Sequence, residues 1–132
     1  MNYLLDTDTL SFYLRGNPNI KGRILAASPD HLHIATISVM EIEYGLTLKP
    51  ERRPQVEAGL LPLLQAIALV PFDTIAAIST AKVRAGLTQA GTPIGAYDVQ
   101  LAGIALAHGL TLVTHNIREF SRVAGLVIED WF

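Results

Sequence analysis

The stretch YLLDTDTL, residues 3–10, ends a short apolar run with two carboxylates, Asp6 and Asp8, one residue apart. Oxygen side chains in this spacing suit phosphate chemistry in two ways. In one, an aspartate attacks a phosphoryl group while its neighbour acts as general acid. In the other, an aspartate holds a divalent cation that activates water against a phosphodiester. Further acids recur along the chain: Glu41 just after HLHIATIS, Asp98 in GTPIGAYD, and Glu119 with Asn116 after LTLVTH. A hard cation such as Mg²⁺ takes oxygen ligands, usually a few carboxylates plus water and substrate phosphate, so neither His nor Cys is required. Thr7 and Thr114 each flank one of these positions, and a hydroxyl there can orient a carboxylate or a water, although threonine is also an ordinary strand residue.

Every one of these positions also has a local explanation. Ser38-x-x-Glu41 reads as a capping box, Asn116-x-x-Glu119 as a similar cap, Asp8 as the cap of a first helix and Asp98 as an answer to a helix dipole. Taken singly, capping is the commoner reason for such residues. Taken together, they fall at predicted strand ends or helix starts and could meet at one edge of a parallel sheet, where helix N-termini also suit a phosphate.

The elements that would position them follow from periodicity. YLLD, HLHIATI (31–37), ALVPF (68–72), LTLVT (110–114) and LVIED (126–130) read as short strands. Helical patterns lie between them at 9–14, 20–27, 39–48, 54–66, 74–90 and 97–108; Gly109 stands where a helix-ending glycine belongs, and Gly91-Thr92-Pro93 closes the long helix before it. Strands separated by helices pair in parallel through crossovers, which predicts an α/β fold, a three-layer α/β/α sandwich with a central, mainly parallel sheet. Ligands in such sheets collect beyond the carboxyl ends of the strands.

Composition sets the outer limits. At 132 residues one domain over 1–132 is expected, long enough to remove roughly two-thirds of its unfolded surface from water. Lacking Cys, the chain has no disulfide, thiolate zinc site or thiol catalysis, which fits a reducing, cytoplasmic setting. Apolar runs are only a few residues long, so no membrane span is expected, and Asp6 and Asp8 interrupt any signal-peptide-like start. A net charge of −2 argues against binding nucleic acid by broad phosphate neutralisation. A local basic patch remains open, with Arg15, Lys49, Arg52, Arg53, Lys82, Arg84 and Arg118 as candidates; for any one of them a solvated surface charge is the simpler reading.

With the opening LLDTDTLSFYLRG, the segment ISVMEIEYG and the long run GTPIGAYDVQLAGIALAHGLTLVTHNIREFSRVAGLVIEDWF in view, the chain resembles the PIN-domain family, in particular its VapC-type toxins. The likeness covers essentially the whole chain. It implies a Mg²⁺- or Mn²⁺-dependent endoribonuclease of a toxin–antitoxin pair, acting on RNA, tRNA among the candidates, with 3′-hydroxyl and 5′-phosphate products. It further implies a VapB-type antitoxin as partner and a homodimer. Asp6, Glu41 and Asp98 match the family's main acidic ligands, and the fourth acidic place falls on Asn116 or Glu119. Asp8 departs from the pattern, because many relatives carry a neutral residue there.

Two other functions fit parts of the chain. Haloacid-dehalogenase-like phosphatases share the D-x-D-x-T opening but need a lysine near the phosphate and a late acidic pair. Here Lys82 lies inside a predicted helix, and Glu129-Asp130 lies at the far end of the chain. An inactive PIN-like binding module is the third reading, against which stand three intact carboxylates that would repel one another without a cation. The remaining polar and aromatic residues read blandly: His31 and His33 as sheet-face residues, His108 as a helix-end cation, His115 as surface, Tyr97 and Trp131 as core or interface aromatics.

Overall fold

A computed structural model describes all of residues 1–132. Its five strands are β1 (Tyr3–Leu5), β2 (Leu32–Ala35), β3 (Ala68–Val70), β4 (Thr111–Val113) and β5 (Ile128–Glu129). They form one sheet in the order β3-β2-β1-β4-β5, with every neighbouring pair parallel. The chain therefore builds outward from β1 on one side and then returns to build outward on the other. That reversal opens a crevice beyond the carboxyl ends of β1 and β4, the place where open α/β sheets bind ligands.

Alternation along the strands divides the core. On β1, Leu4 points into one layer and Leu5 into the other; Leu5 sits in register with Ile34 and Val113. Against the Leu5 face pack α1 (Thr7–Leu14), α2 (Pro18–Ala26) and α4 (Arg53–Ala66), through Leu10, Ile20, Ile24 and Leu63. Against the Leu4 face pack α5 (Thr74–Gln89) and α6 (Ala96–His108), with Phe120 from the single-turn α7 (Ile117–Phe120). Helix α3 (Thr36–Leu48) follows β2 and leans on α1. No helix is long and apolar enough to cross a membrane.

The expected elements appear with shifted ends. Helix α3 starts at Thr36 rather than 39, because the β-branched run ATIS reads as strand while Ala35 already holds the extended backbone of a helix N-cap (φ −78°, ψ 144°). Asp6, not Asp8, caps α1: its Oδ1 accepts the Thr9 N–H at 2.8 Å. His31 lies in a single 3₁₀ turn before β2 rather than on the strand, and the half-buried His33 places Nδ1 3.1 Å from the Tyr3 carbonyl. At the end of α6, Gly109 takes φ +64°, and the Leu110 N–H reaches back to the Ala105 carbonyl at 2.8 Å. A side chain at that angle would be strained.

Helices α5 and α6 pack against each other more extensively than any other pair of elements. A methyl group on Gly103 would stand 1.8 Å from the Thr80 Oγ1 and 2.8 Å from the Thr80 Cα, and that Oγ1 is buried without a hydrogen-bond partner. Backbone, not a flexible tip, is what blocks the space. Gly103→Ala is therefore expected to destabilise the fold by about 3 kcal/mol or more. Gly86→Ala, at an exposed α5 position where nothing lies within 4 Å, should stabilise it by about 0.5–1 kcal/mol. Urea unfolding of both variants checks the pair, and a Gly103→Ala protein as stable as the parent would show that the two helices separate freely.

Candidate active site

Asp6 follows β1 directly and is 3 % exposed. Its backbone N–H extends the sheet to the Val113 carbonyl at 3.0 Å while its side chain caps α1. Burial pushes the carboxyl up from its ordinary value; hydrogen bonding from Thr114 and the Thr9 N–H pulls it partway back, and the charge of nearby Asp8 pushes upward, while the Thr9 hydroxyl donates to the Val113 carbonyl at 3.1 Å. Thr114, fully buried after β4, also accepts the Asn116 N–H at 2.9 Å. Thr114 thus ties the Asp6 carboxylate to the loop that carries Asn116.

Glu41 does not open a helix as expected. It lies on the second turn of α3, and the Ser38–Glu41 capping box does not form, because Ser38 is already inside the helix. Both side chains turn instead toward α1. Thr7 Oγ1 lies 2.7 Å from Glu41 Oε1 and 2.8 Å from Ser38 Oγ. A carboxylate accepts only, so the single Thr7 proton goes to Glu41 and Ser38 must donate to Thr7. The result is a directed chain, Ser38 to Thr7 to Glu41, with its first member fully buried. It fixes the Glu41 carboxylate and joins α1 to α3.

Asp98 lies in the first turn of α6 after the N-cap Gly95. A methyl group on Gly95 would meet the Asp98 Oδ2 at 3.2 Å, so the glycine leaves room for the carboxylate to fold back over the turn. Asp98 is pushed up to about 7, first by burial and then by the charges of Glu119, Asp6, Glu41 and Asp8, in that order. The four other carboxylates singled out in the sequence thus lie within electrostatic reach of Asp98.

Asn116 and Glu119 do not form a capping box either. Asn116 stands at the N-cap of α7 without capping it; its Nδ2 donates to Glu119 Oε2 at 3.0 Å. The amide thereby leaves its own oxygen free and turns Glu119 toward the acidic group. Other tempting residues lie apart. His115 pairs with Asp130 at 2.9 Å and stacks on Phe132. Trp131 is buried against Tyr3, with the Arg23 guanidinium 4.7 Å over its ring, so it is a core aromatic; Tyr97 is exposed. Glu129 binds Arg23 and the Trp131 indole. The late acidic pair is thus engaged elsewhere and Lys82 stays within α5, which removes the support for a haloacid-dehalogenase-like site.

No three acidic or imidazole side chains are drawn close enough together to hold a metal ion outright. Mg²⁺ keeps several waters and uses one or two carboxylates together with substrate phosphates rather than a complete protein cage. The donor set is all oxygen, which is what such an ion requires.

The PIN domain family model matches residues 3–126. The chain belongs to the PIN domain family. A relative from Salmonella typhimurium named tRNA(fMet)-specific endonuclease VapC is 38% identical, covering 99% of this chain and 98% of its own length. A second of that name, from Shigella flexneri, is 34% identical over the same shares. Among solved structures, DNA-bound VapBC from Salmonella typhimurium superposes with a TM-score of 0.89 at 38% identity, covering 100% of this chain and 99% of the other. VapBC2 from Rickettsia felis, bound to a promoter DNA fragment, gives 0.90 at 28% identity with full coverage of both chains. PIN-domain membership and the all-parallel α/β sandwich agree with what the motifs implied.

Sequence reasoning found the acids but missed Ser38 as anything other than a cap. The signal was its i, i+3 relation to Glu41, which on a helix interior means a shared face, not a box. If the chain of hydroxyls acts as a unit, Ser38→Ala and Thr7→Val will each cost about 1 kcal/mol of stability and the double variant clearly less than their sum. Additive losses in a denaturation cycle would mean the two hydroxyls act independently. The raised Asp98 gives a second expectation. Its pKa is about 7 folded against an ordinary 3.8, so between these values the folded protein holds a proton that the unfolded chain has lost, and its contribution to stability falls as pH rises from about 4 to about 7. In chelated buffer Asp98→Asn should remove that slope and melt higher than the parent at pH 7.5. Parallel Tm-against-pH curves for the two proteins would show that folding does not raise the Asp98 pKa.

Proposed function

We propose that this chain is a divalent-metal-dependent endoribonuclease, the toxin of a toxin–antitoxin pair, acting in the cytoplasm. The observation that carries the reading is Asp98, a carboxyl pushed up to about 7 first by burial and then by the charges of four other carboxylates in the crevice beyond β1 and β4. A fold has no stability reason to gather such charges, whereas a cation and a phosphate give it one. Family membership supports the nuclease chemistry, and the relatives named tRNA(fMet)-specific endonuclease make initiator tRNA the first RNA to test. Neighbouring structures solved as VapBC complexes support a VapB-type antitoxin as partner. A homodimer, with 1–132 as one catalytic domain per subunit, completes the proposal.

Asp6, Glu41 and Asp98 are the proposed holders of Mg²⁺ or Mn²⁺, with Glu119 as fourth acid and Asp8 adding negative potential from the exposed side. Such an ion, when bound, supplies an activated water and neutralises charge on the phosphate. The protein's own residues do the positioning. Ser38 and Thr7 hold the Glu41 carboxylate in one rotamer, Thr114 and Thr9 hold Asp6, and Asn116 holds Glu119. The N-termini of α1 and α6 bring the positive ends of two helix dipoles to the same crevice, where a phosphate is favoured. Asp98 must shed its proton before it can act as a ligand, so metal affinity should rise with pH through about 7.

The direct test is purified protein on initiator tRNA with Mn²⁺ and with chelator. Cleavage is expected only with metal, leaving 5′-phosphate and 3′-hydroxyl ends; 2′,3′-cyclic phosphate ends would overturn the mechanism. Asp6→Asn keeps the α1 cap, since Asn caps as well as Asp, but loses a ligand charge, so activity should fall at least about 100-fold while the Tm does not drop. Asn116→Asp should lower the Mn²⁺ concentration for half-maximal cleavage. Unchanged metal titrations would assign the fourth position to Glu119 alone.

A further inference from the structure

A groove of about 320 Å³ runs from Glu41 along the contact of α1 with α3 to the start of α4. Thr7 and Glu41 line its inner end. Its outer part carries Arg15, Lys49 and Arg52, one cation from each of the three segments that form the walls. Arg15 is eight residues beyond Thr7 along α1 and its C-cap, roughly 12 Å at the helical rise. None of the three makes an ion pair or a side-chain hydrogen bond. Arg53, by contrast, is held by Glu43 at 2.6 Å and by Glu57 at 2.9 Å. In a chain with ten Lys and Arg and a net charge of −2, three free cations lining one groove are a departure from an even surface.

We propose that this groove is the track for the substrate's single-stranded RNA backbone, with Arg15, Lys49 and Arg52 binding the phosphates next to the one at the carboxylates. The inference rests on the nuclease reading and adds residues that place the substrate. Charge decides the occupant. A phosphodiester strand brings one negative charge per nucleotide, so a strand whose scissile phosphate lies at Glu41 and Asp98 carries its neighbours outward past the cations. Acids at one end and bases at the other also fix the register: the strand is held along the groove but can approach the carboxylates only where a metal ion offsets their charge. Ser11 and Gln55 also line the groove beside the apolar Leu14, Ile42 and Leu46, but the three cations are its only positive charges.

The test uses the full chain carrying Asp98→Asn, in chelator, so that RNA is bound without being cut. A short fluorescein-labelled single-stranded RNA reports affinity by anisotropy across a salt series. Arg15→Gln, Lys49→Gln and Arg52→Gln should each weaken binding about 5-fold, and the triple variant about 100-fold, with the slope of log K against log salt smaller by about 2 for three lost phosphate contacts on a single strand. Lys82→Gln and Arg84→Gln, on α5 across the sheet, should match the parent. With Asp98 restored and Mn²⁺ present, the triple variant should raise KM and leave kcat within about 3-fold. A triple variant that binds RNA with parental affinity and salt slope overturns the track, while cleavage by the wild type would leave the nuclease reading standing. Should the triple variant lose affinity for a co-expressed antitoxin and keep that for RNA, the groove is a protein dock and the track is again wrong. A wild-type protein that neither cuts nor binds RNA removes both readings.

Discussion

The arrangement of this molecule turns on a repulsion. Five carboxylates from four separate segments face the crevice beyond β1 and β4, and burial together with the charges of the other four pushes Asp98 up to about 7. Three of these segments are anchored by the sheet, whose parallel register fixes Asp6, the approach to α3 and the Thr114–Asn116 loop at neighbouring strand ends. Asp98 arrives by another route, on α6, which is locked to α5 by the near-contact of Gly103 with Thr80. A rigid framework holds these carboxylates on one crevice against their mutual repulsion.

Hydroxyls rather than cations restrain the acids. Asp6 is held by Thr9 and Thr114, and Glu41 by Thr7 with Ser38 behind it. This choice has a chemical consequence. A lysine or arginine beside each carboxylate would quiet the repulsion and also compete with a metal ion for the same oxygens, whereas a hydroxyl orients one oxygen and leaves the carboxylate's charge unspent. Arg15, Lys49 and Arg52 line the groove that Glu41 also lines, and none of them pairs with an acid.

Much of this was legible in the sequence, and the failures share one cause. All five strands and the six longer helices were placed within a few residues, because apolar alternation and helix-ending glycines are local signals that the tertiary fold here did not override. The acids were found because oxygen ligands recurred at element junctions. What sequence could not separate was a cap from a ligand holder: Ser38-x-x-Glu41 and Asn116-x-x-Glu119 have capping-box spacing, yet one pair lies inside α3 facing α1 and the other bonds side chain to side chain. The spacing i, i+3 specifies a shared helix face wherever the helix begins, so an error of three residues in the start of α3 turned a site pair into a cap. Asp8 was assigned the cap that Asp6 provides for the same reason. Arg15, Lys49 and Arg52 stand among seven candidates for a basic patch in the sequence, but nothing local singles these three out, since they line one groove only after α1, α3 and the start of α4 pack.

Asp6 shows why capping and ligand roles need not compete. Its Oδ1 accepts the Thr9 N–H and so starts α1, while the Thr114 hydroxyl reaches the same carboxylate from β4. Capping therefore sets the rotamer that a ligand would need, and the partial positive charge of the helix N-terminus offsets part of the cost of burying the carboxylate. An asparagine would satisfy the helix equally well and would relieve the burial. The aspartate at this 3 % exposed position is thus the less stable of two residues that fit the local geometry, and what distinguishes it is the formal charge it directs into the crevice.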